Sequence, residues 1–346
     1  MKQHQAVPVR ALRTAFILAA FSLLGACAPR LEPGGPAIQA PALLDTQIML
    51  ADGAALPVRR WLPDGPPHAV IVALHGFNDY SRAFEQPATY WASRGIATYA
   101  FDQRGFGNAP NRGIWAGHDT MVADAAAAIG LIRTRHPGRP VFVAGESMGG
   151  AIAMIAASQG MLKADGLILV APALRGRPYL GVIPRAMLWL GAQVIPWYPL
   201  TGRGLRIQAS DNIPMLRALG ADPLIIKETR VDAIKGLVDT MDAAIASAAE
   251  IRIPSLVLYG ARDELVPKKP TFDMIAALPP GISHRPAVYR SGWHLLLRDL
   301  KAHIVLDDIL AWIADRSAPL PSGADKAARD AMAATAAASP SNAPNR

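Results

Sequence analysis

Short apolar runs rich in β-branched residues recur along the chain, at Ala69–Leu74, Ala97–Phe101, Val141–Ala144, Leu167–Ala171, Ser255–Tyr259 and Pro286–Tyr289. Runs this short and this apolar predict strands covered on both faces. Stretches with helical character stand between them, at Phe84–Ser93, Met121–Arg135 and Gly149–Gln159. Strands alternating with helices predict an α/β fold, a mostly parallel central sheet with helices on both faces. Two earlier runs, Gln47–Leu50 and Val58–Trp61, flank Asp52-Gly53 and predict an antiparallel hairpin at the sheet edge. Between Ala171 and about Ile251 the alternation stops, and an insertion rich in Pro, Leu, Trp and Tyr takes its place.

Candidate chemistry appears where these runs end. Val141-Phe142-Val143-Ala144 leads into Gly145-Glu146-Ser147-Met148-Gly149 and then into a helical run, the strand, sharp turn and helix that expose a serine nucleophile. The same five-residue pattern also occurs in ordinary turns, so its weight depends on an acid and a base following in order after later strands. Asp263 follows Ser255–Tyr259 and Gly260, with Glu264 beside it as the alternative acid. His294 follows Pro286–Tyr289 in Ser291-Gly292-Trp293-His294, and among the eight histidines it alone combines a strand end with the right order. Ser147 is then the nucleophile, His294 the general base, and Asp263 the group that fixes the imidazole tautomer. The oxyanion donors predicted are the N–H of Met148, after the nucleophile, and that of Phe77, in His75-Gly76-Phe77 after Ala69–Leu74. His75 is read as structural, its ring bonding nearby loop backbone. No second His, Cys or carboxylate stands at ligand spacing, so neither a metal nor an organic cofactor is called for.

These segments together resemble the α/β-hydrolase superfamily, in its monoacylglycerol lipase and lysophospholipase-like branch, which also resembles serine aminopeptidases. The resemblance rests on His75-Gly76-Phe77, Tyr99–Gly107, Gly145–Gly150, Gly260-Ala261-Arg262-Asp263 with Val266-Pro267, and Gly292-Trp293-His294, in order over about 44–316. One position departs: Asn108 stands where the family usually has serine, in a loop near the site. The resemblance implies an α/β-hydrolase domain at 43–316, a helical lid at about 172–250, and hydrolysis of carboxylic esters of monoacylglycerol or lysophospholipid type. A serine aminopeptidase is the alternative, with Glu228, Asp232 or Asp239 as amine-binding carboxylates; a non-catalytic binding protein on the same fold is another.

Within the insertion, Tyr179–Leu200 is almost wholly apolar, Arg185 being its only charge, but Pro184 and Pro196 break it too often for a bilayer span. Two readings stand, a cap helix packed on the core or an apolar face turned to an acyl chain or membrane interface. The later part, Asp222–Glu250, reads as amphipathic helices with Thr229, Asp239 and Asp242 available for polar contacts.

The amino terminus bears on location. Lys2, Arg10 and Arg13 precede an apolar run from Ala15 to Leu24, then Leu24-Gly25-Ala26-Cys27, which reads as a secretory leader at 1–26. Its end resembles the bacterial lipobox, and Cys27, the single cysteine, is the expected lipidation site. Ala28 after it resembles the pattern sorted to the outer membrane, which would place the enzyme in the cell envelope facing the periplasm. An ordinary leader with an incidental cysteine, or a short anchor helix, is the plainer reading. Residues 27–42, rich in Pro, Gly and Ala, are expected to act as a tether, and 317–346 as a disordered tail in which the Ala-rich part, Ala324–Ala338, is transiently helical. Three of the basic groups behind the net charge of +8 lie in the leader, and no basic block or interleaved aromatic stripe remains, so no nucleic-acid partner is expected.

Overall fold

The computed structural model describes residues 29–338 apart from 203, 205 and 206. Its strands are β1 (Ala42–Leu43), β2 (Gln47–Met49), β3 (Ala55–Trp61), β4 (Ala69–Leu74), β5 (Ile96–Phe101), β6 (Val141–Glu146), β7 (Gly166–Val170), β8 (Pro199–Thr201), β9 (Glu228–Arg230), β10 (Ser255–Gly260) and β11 (His284–Tyr289). All but β8 and β9 join one sheet in the order β1-β2-β3-β5-β4-β6-β7-β10-β11. The hairpin β2–β3 is antiparallel with Ile48 opposite Leu56, and β3 also runs antiparallel to β5. From β5 across to β11 every pairing is parallel.

Strands β4, β5, β6, β7 and β10 are buried along their whole length, because helices cover both faces of the sheet. His118–Arg135 and Met148–Ser158 bury apolar residues against one face, sharing a core with Val72 and Val143. Glu85–Ala92 and Ala302–Ala314 cover the other, where Trp91 and Trp312 are fully buried beside Ile71 and Phe142. Each predicted strand lies within two or three residues of the observed one. With parallel strands, all carboxyl ends open on the same edge of the sheet, and the segments carrying Ser147, Asp263 and His294 leave that edge after β6, β10 and β11.

The insertion between β7 and β10 holds helices Val182–Val194, Ile213–Ala221 and Val231–Ser247, with β8 and β9 paired antiparallel between them. Val231–Ser247 is amphipathic and buries Ala233, Gly236, Val238 and Ala244 toward the body. Val182–Val194 behaves differently: Val182 is 80% exposed, Met187 69% and Trp189 63%, and Ala192 is its sole buried residue. The cap-on-core reading therefore does not describe this helix, whose apolar face points outward. No helix among the described residues is long and apolar enough to cross a membrane.

Both chain ends differ from expectation. The tether lies along the domain: Glu32 N–H bonds the Trp115 carbonyl at 3.0 Å, Gly35 N–H the Asp52 carboxylate at 3.0 Å, and Ile38 N–H the Ala51 carbonyl at 2.7 Å. Its proline residues favour an extended strap, and the N–H groups between them are taken up by acceptors on the domain. At the other end, Ala324–Ala338 is a helix docked on the edge strand β11. Composition argued against order there for want of large apolar groups, but alanine lets a helix approach closely. Ala328 is fully buried with Tyr259, Phe272 and Val288, and Arg285 donates to the buried Asp325 at 3.0 Å. Cys27 and the leader lie outside the described residues.

Candidate active site

Ser147 sits at the turn between β6 and the helix Met148–Ser158 with φ 52° and ψ −115°, a conformation most side-chain-bearing residues avoid. Its backbone is pinned on three sides: the N–H donates to the Val170 carbonyl at 3.0 Å, and the carbonyl accepts from Ala151 at 3.1 Å and Ala173 at 2.9 Å. The flanking glycines make the turn possible. A Cβ at Gly145 would lie 2.5 Å from the Gly149 carbonyl oxygen, and one at Gly149 would lie 2.1 Å from that of Leu74. Met148 is the first residue of the following helix, so its N–H has no partner in the helical ladder.

The acid and base meet as the sequence predicts. His294 Nδ1 lies 2.7 Å from Asp263 Oδ2, with the two side chains 4% and 0% exposed. The other Asp263 oxygen accepts the N–H groups of Leu265 at 2.8 Å and Val266 at 2.9 Å, which turns Oδ2 toward the imidazole. That arrangement assigns Nδ1–H to the donor role and leaves Nε2 as the free base. Glu264, the alternative acid, points elsewhere and accepts the Gln208 N–H at 2.7 Å.

Ser147, His294 and Phe77 line one cavity of about 520 Å³. Phe77 leaves β4 in the loop His75-Gly76-Phe77, its ring edge-on to Phe106 at 5.6 Å and tilted against Trp115 at 6.1 Å. His75 is fully buried and structural: Nδ1 donates to the Gly76 carbonyl at 2.8 Å, and Nε2 accepts the Gln103 N–H at 2.9 Å. Burial holds its pKa below the ordinary imidazole value, so it stays neutral. The insertion lines the cavity with Leu180, Ile234, Leu237, Val238 and Met241, an apolar wall. It is tied down at its base, where Ile226 N–H bonds the Asn78 carbonyl at 3.0 Å and Asn78 Nδ2 donates to Thr229 at 2.7 Å. The Arg177 guanidinium bridges Asp239 and Asp242, so neither carboxylate is free in the site.

One buried network was not read from the sequence. Arg298 donates to Asp79 Oδ2 at 2.8 Å and to Glu146 Oε2 at 2.7 Å, joining the oxyanion loop, the elbow and the segment after His294. Burial pushes the Glu146 carboxyl upward, with Arg298 opposing; burial also works against the Arg298 charge, yet its two carboxylate partners hold that pKa above the ordinary value. The available signal was an Arg-Asp pair ending the apolar run Leu295–Leu297, a costly place for charge without partners. Among the described residues no group of three or more His, Cys, Asp or Glu stands ready to hold a metal.

A strained serine after a central parallel strand, with a histidine-aspartate pair from the next strand ends, defines an α/β-hydrolase. The chain belongs to the family described as serine aminopeptidase, S33, which matches residues 65–301. It is 26% identical to human monoglyceride lipase over 279 residues, covering 78% of this chain and 90% of that protein. It is 25% identical to a monoacylglycerol lipase of Mycolicibacterium smegmatis over 259 residues, 73% of this chain and 90% of that one. The fold is shared with a solved monoacylglycerol lipase of Paleococcus ferrophilus at a TM-score of 0.63 and 23% identity, covering 76% of this chain and 99% of that one. A monoglyceride lipase of Saccharomyces cerevisiae shares it at 0.66 and 18%, covering 84% and 97%.

Proposed function

We propose that this hydrolase cleaves carboxylic esters of single-chain lipids, monoacylglycerols or lysophospholipids, through an acyl-enzyme on Ser147. The observation that carries the reading is the 2.7 Å His294–Asp263 bond beside Ser147 at the floor of an apolar cavity. His294 Nε2 takes the Ser147 proton as Oγ attacks the ester carbonyl, and Asp263 stabilises the imidazolium through Nδ1–H. The Phe77 and Met148 N–H groups receive the developing oxyanion. His294 then returns the proton to the leaving alcohol, and water attacks the acyl-enzyme with the same groups in reverse roles.

An ester reading is favoured over an aminopeptidase by the lid carboxylates. Asp239 is held by Arg177 and Lys235, Asp232 by Arg230, and Glu228 is exposed on β9, so none waits in the cavity for a substrate amine. The relatives named as monoglyceride lipases support the same substrate class. The test is a series of p-nitrophenyl esters from acetyl to palmitoyl beside an aminoacyl p-nitroanilide. Rates rising toward medium or long chains support the reading, and cleavage of the anilide alone overturns it.

We further infer that the mature chain begins at a diacylated Cys27 and resides in a bacterial cell envelope, anchored in the outer membrane and facing the periplasm. The leader pattern and the single cysteine support this. Cys27→Ser should abolish metabolic labelling with a fatty acid and release the protein from membranes; labelling that persists in the variant removes the anchor.

A further inference from the structure

Residues 208–212, in the insertion, run between the acid loop and the base loop and touch both. Gln208 N–H donates to Glu264, the residue after Asp263, at 2.7 Å. The Ala209 carbonyl accepts the N–H of Leu295, the residue after His294, at 2.9 Å. Ser210, fully buried, donates through Oγ to Asp299 Oδ1 at 2.6 Å. The second oxygen of Asp299 accepts the N–H of Trp293, the residue before His294, at 2.8 Å. The two peptides flanking the base are thus both held, one by Asp299 further along the same connection and one from outside it by the insertion.

Asp299 is itself buried, 5% exposed, at a place where a carboxylate is costly unless each oxygen is used. Burial raises its pKa, and the hydrogen bonds from Ser210 and Trp293 act against that rise. A salt bridge does not account for its presence, since the neighbouring Arg298 is committed to Asp79 and Glu146. Its position is accounted for by what it holds, the backbone on which the His294 ring swings.

We propose that Asp299 is the positioning residue for His294, and that Ser210 couples this position to the lid insertion. The imidazole shares a cavity with Ser147 and stands on the connection that follows β11, so its Nε2 moves with the peptide at Trp293. A displacement near 1 Å at a reacting group costs on the order of 10²-fold in rate. Lid and base then form one mechanical unit, and a lid that shifts releases Ser210 from Asp299 and slackens the base. The inference rests on the ester-hydrolase reading for its kinetic test and is independent of it for its spectroscopic one.

The experiment uses the full chain with Asp299→Ala, Asp299→Asn and Ser210→Ala. Turnover of a p-nitrophenyl ester is measured beside the downfield proton resonance of the His294 Nδ1–H shared with Asp263. Asp299→Ala is expected to lower kcat by about 10²-fold with KM within about twofold, and to broaden or remove the resonance. Asparagine can accept from Trp293 N–H and donate to Ser210 Oγ, so Asp299→Asn should return kcat to within about tenfold and restore the signal. Ser210→Ala should fall between the two. Wild-type kcat and an unchanged resonance in Asp299→Ala overturn the proposal. Losses that follow melting temperature alone, without rescue by asparagine, overturn it as well and leave a structural role. If the wild-type protein cleaves no ester, the proposed function fails while the resonance still reports the base.

Discussion

At the carboxyl ends of β6, β10 and β11 the Ser147 backbone is held by hydrogen bonds and the Asp263 and His294 side chains are buried, while on the insertion the helix Val182–Val194 holds most of its apolar side chains in solvent. Other parts of the insertion line the cavity beside Ser147, the helix Val182–Val194 does not, and the two regions spend their apolar residues differently. In the sheet, Val, Ile and Leu are buried against helices and hold a strained serine in place. On the outer lid, Val182, Met187 and Trp189 are 80%, 69% and 63% exposed and bury little within this chain.

Variants at the sheet ends should therefore act on chemistry, and variants on the outer lid on interfacial binding. The largest effect is expected from Ser147→Ala, a loss of ester turnover of about 10⁴-fold or more with the fold intact by circular dichroism. Asp263→Asn should cost roughly 10³- to 10⁴-fold in kcat by releasing the wrong tautomer, whereas Glu264→Gln, whose partner is Gln208, should keep turnover within about tenfold. The reverse pattern would make Glu264 the acid. Arg298→Met leaves Glu146 and Asp79 buried together without their cation, and denaturant titration should show a loss of about 3–5 kcal/mol.

A smaller effect is expected on the lid. Met187→Ser with Trp189→Ser should leave hydrolysis of a short soluble ester unchanged and weaken partitioning onto lipid vesicles by at least about tenfold. Equal partitioning would make the exposed helix a bystander and dissolve the contrast between the two regions. The smallest is a pH effect. His75, buried and neutral, has a folded pKa below its unfolded one, so its stabilisation is complete above about pH 6.5 and is lost as pH falls. His136 and His284 shift in the same direction through burial. Melting temperature should be flat from about pH 7 upward and decline below about 6.5, with a shallower decline in His75→Gln.

The sheet was legible because a buried parallel strand has no polar face to satisfy, so Ala69–Leu74 and Val141–Ala144 read as unbroken apolar runs. The placement of Ser147, Asp263 and His294 was legible because each follows such a run, and Gly145 and Gly149 mark where two backbones touch. Arg298 was not, since a lone Arg-Asp pair carries no spacing that names partners as distant in sequence as Asp79 and Glu146. Nor was Asp299, whose role depends on a serine brought to it by the insertion. The outer lid stayed open between two readings because apolar periodicity does not say what a face will meet, and its side chains stand exposed. The helical tendency of Ala324–Ala338 was legible but its docking on β11 was not, because the contact is made largely by small side chains that weigh little in composition.

The central claim is that Ser147 forms the acyl-enzyme in a site shaped for a lipid chain. A long-chain alkyl fluorophosphonate followed by intact-mass and peptide mapping tests it most directly, because the probe marks the nucleophile and its chain reads the cavity. The account predicts one adduct per protein, on Ser147, forming faster as the alkyl chain lengthens and absent from Ser147→Ala. An adduct on another residue, or ester hydrolysis that continues with Ser147 unmodified, would contradict it.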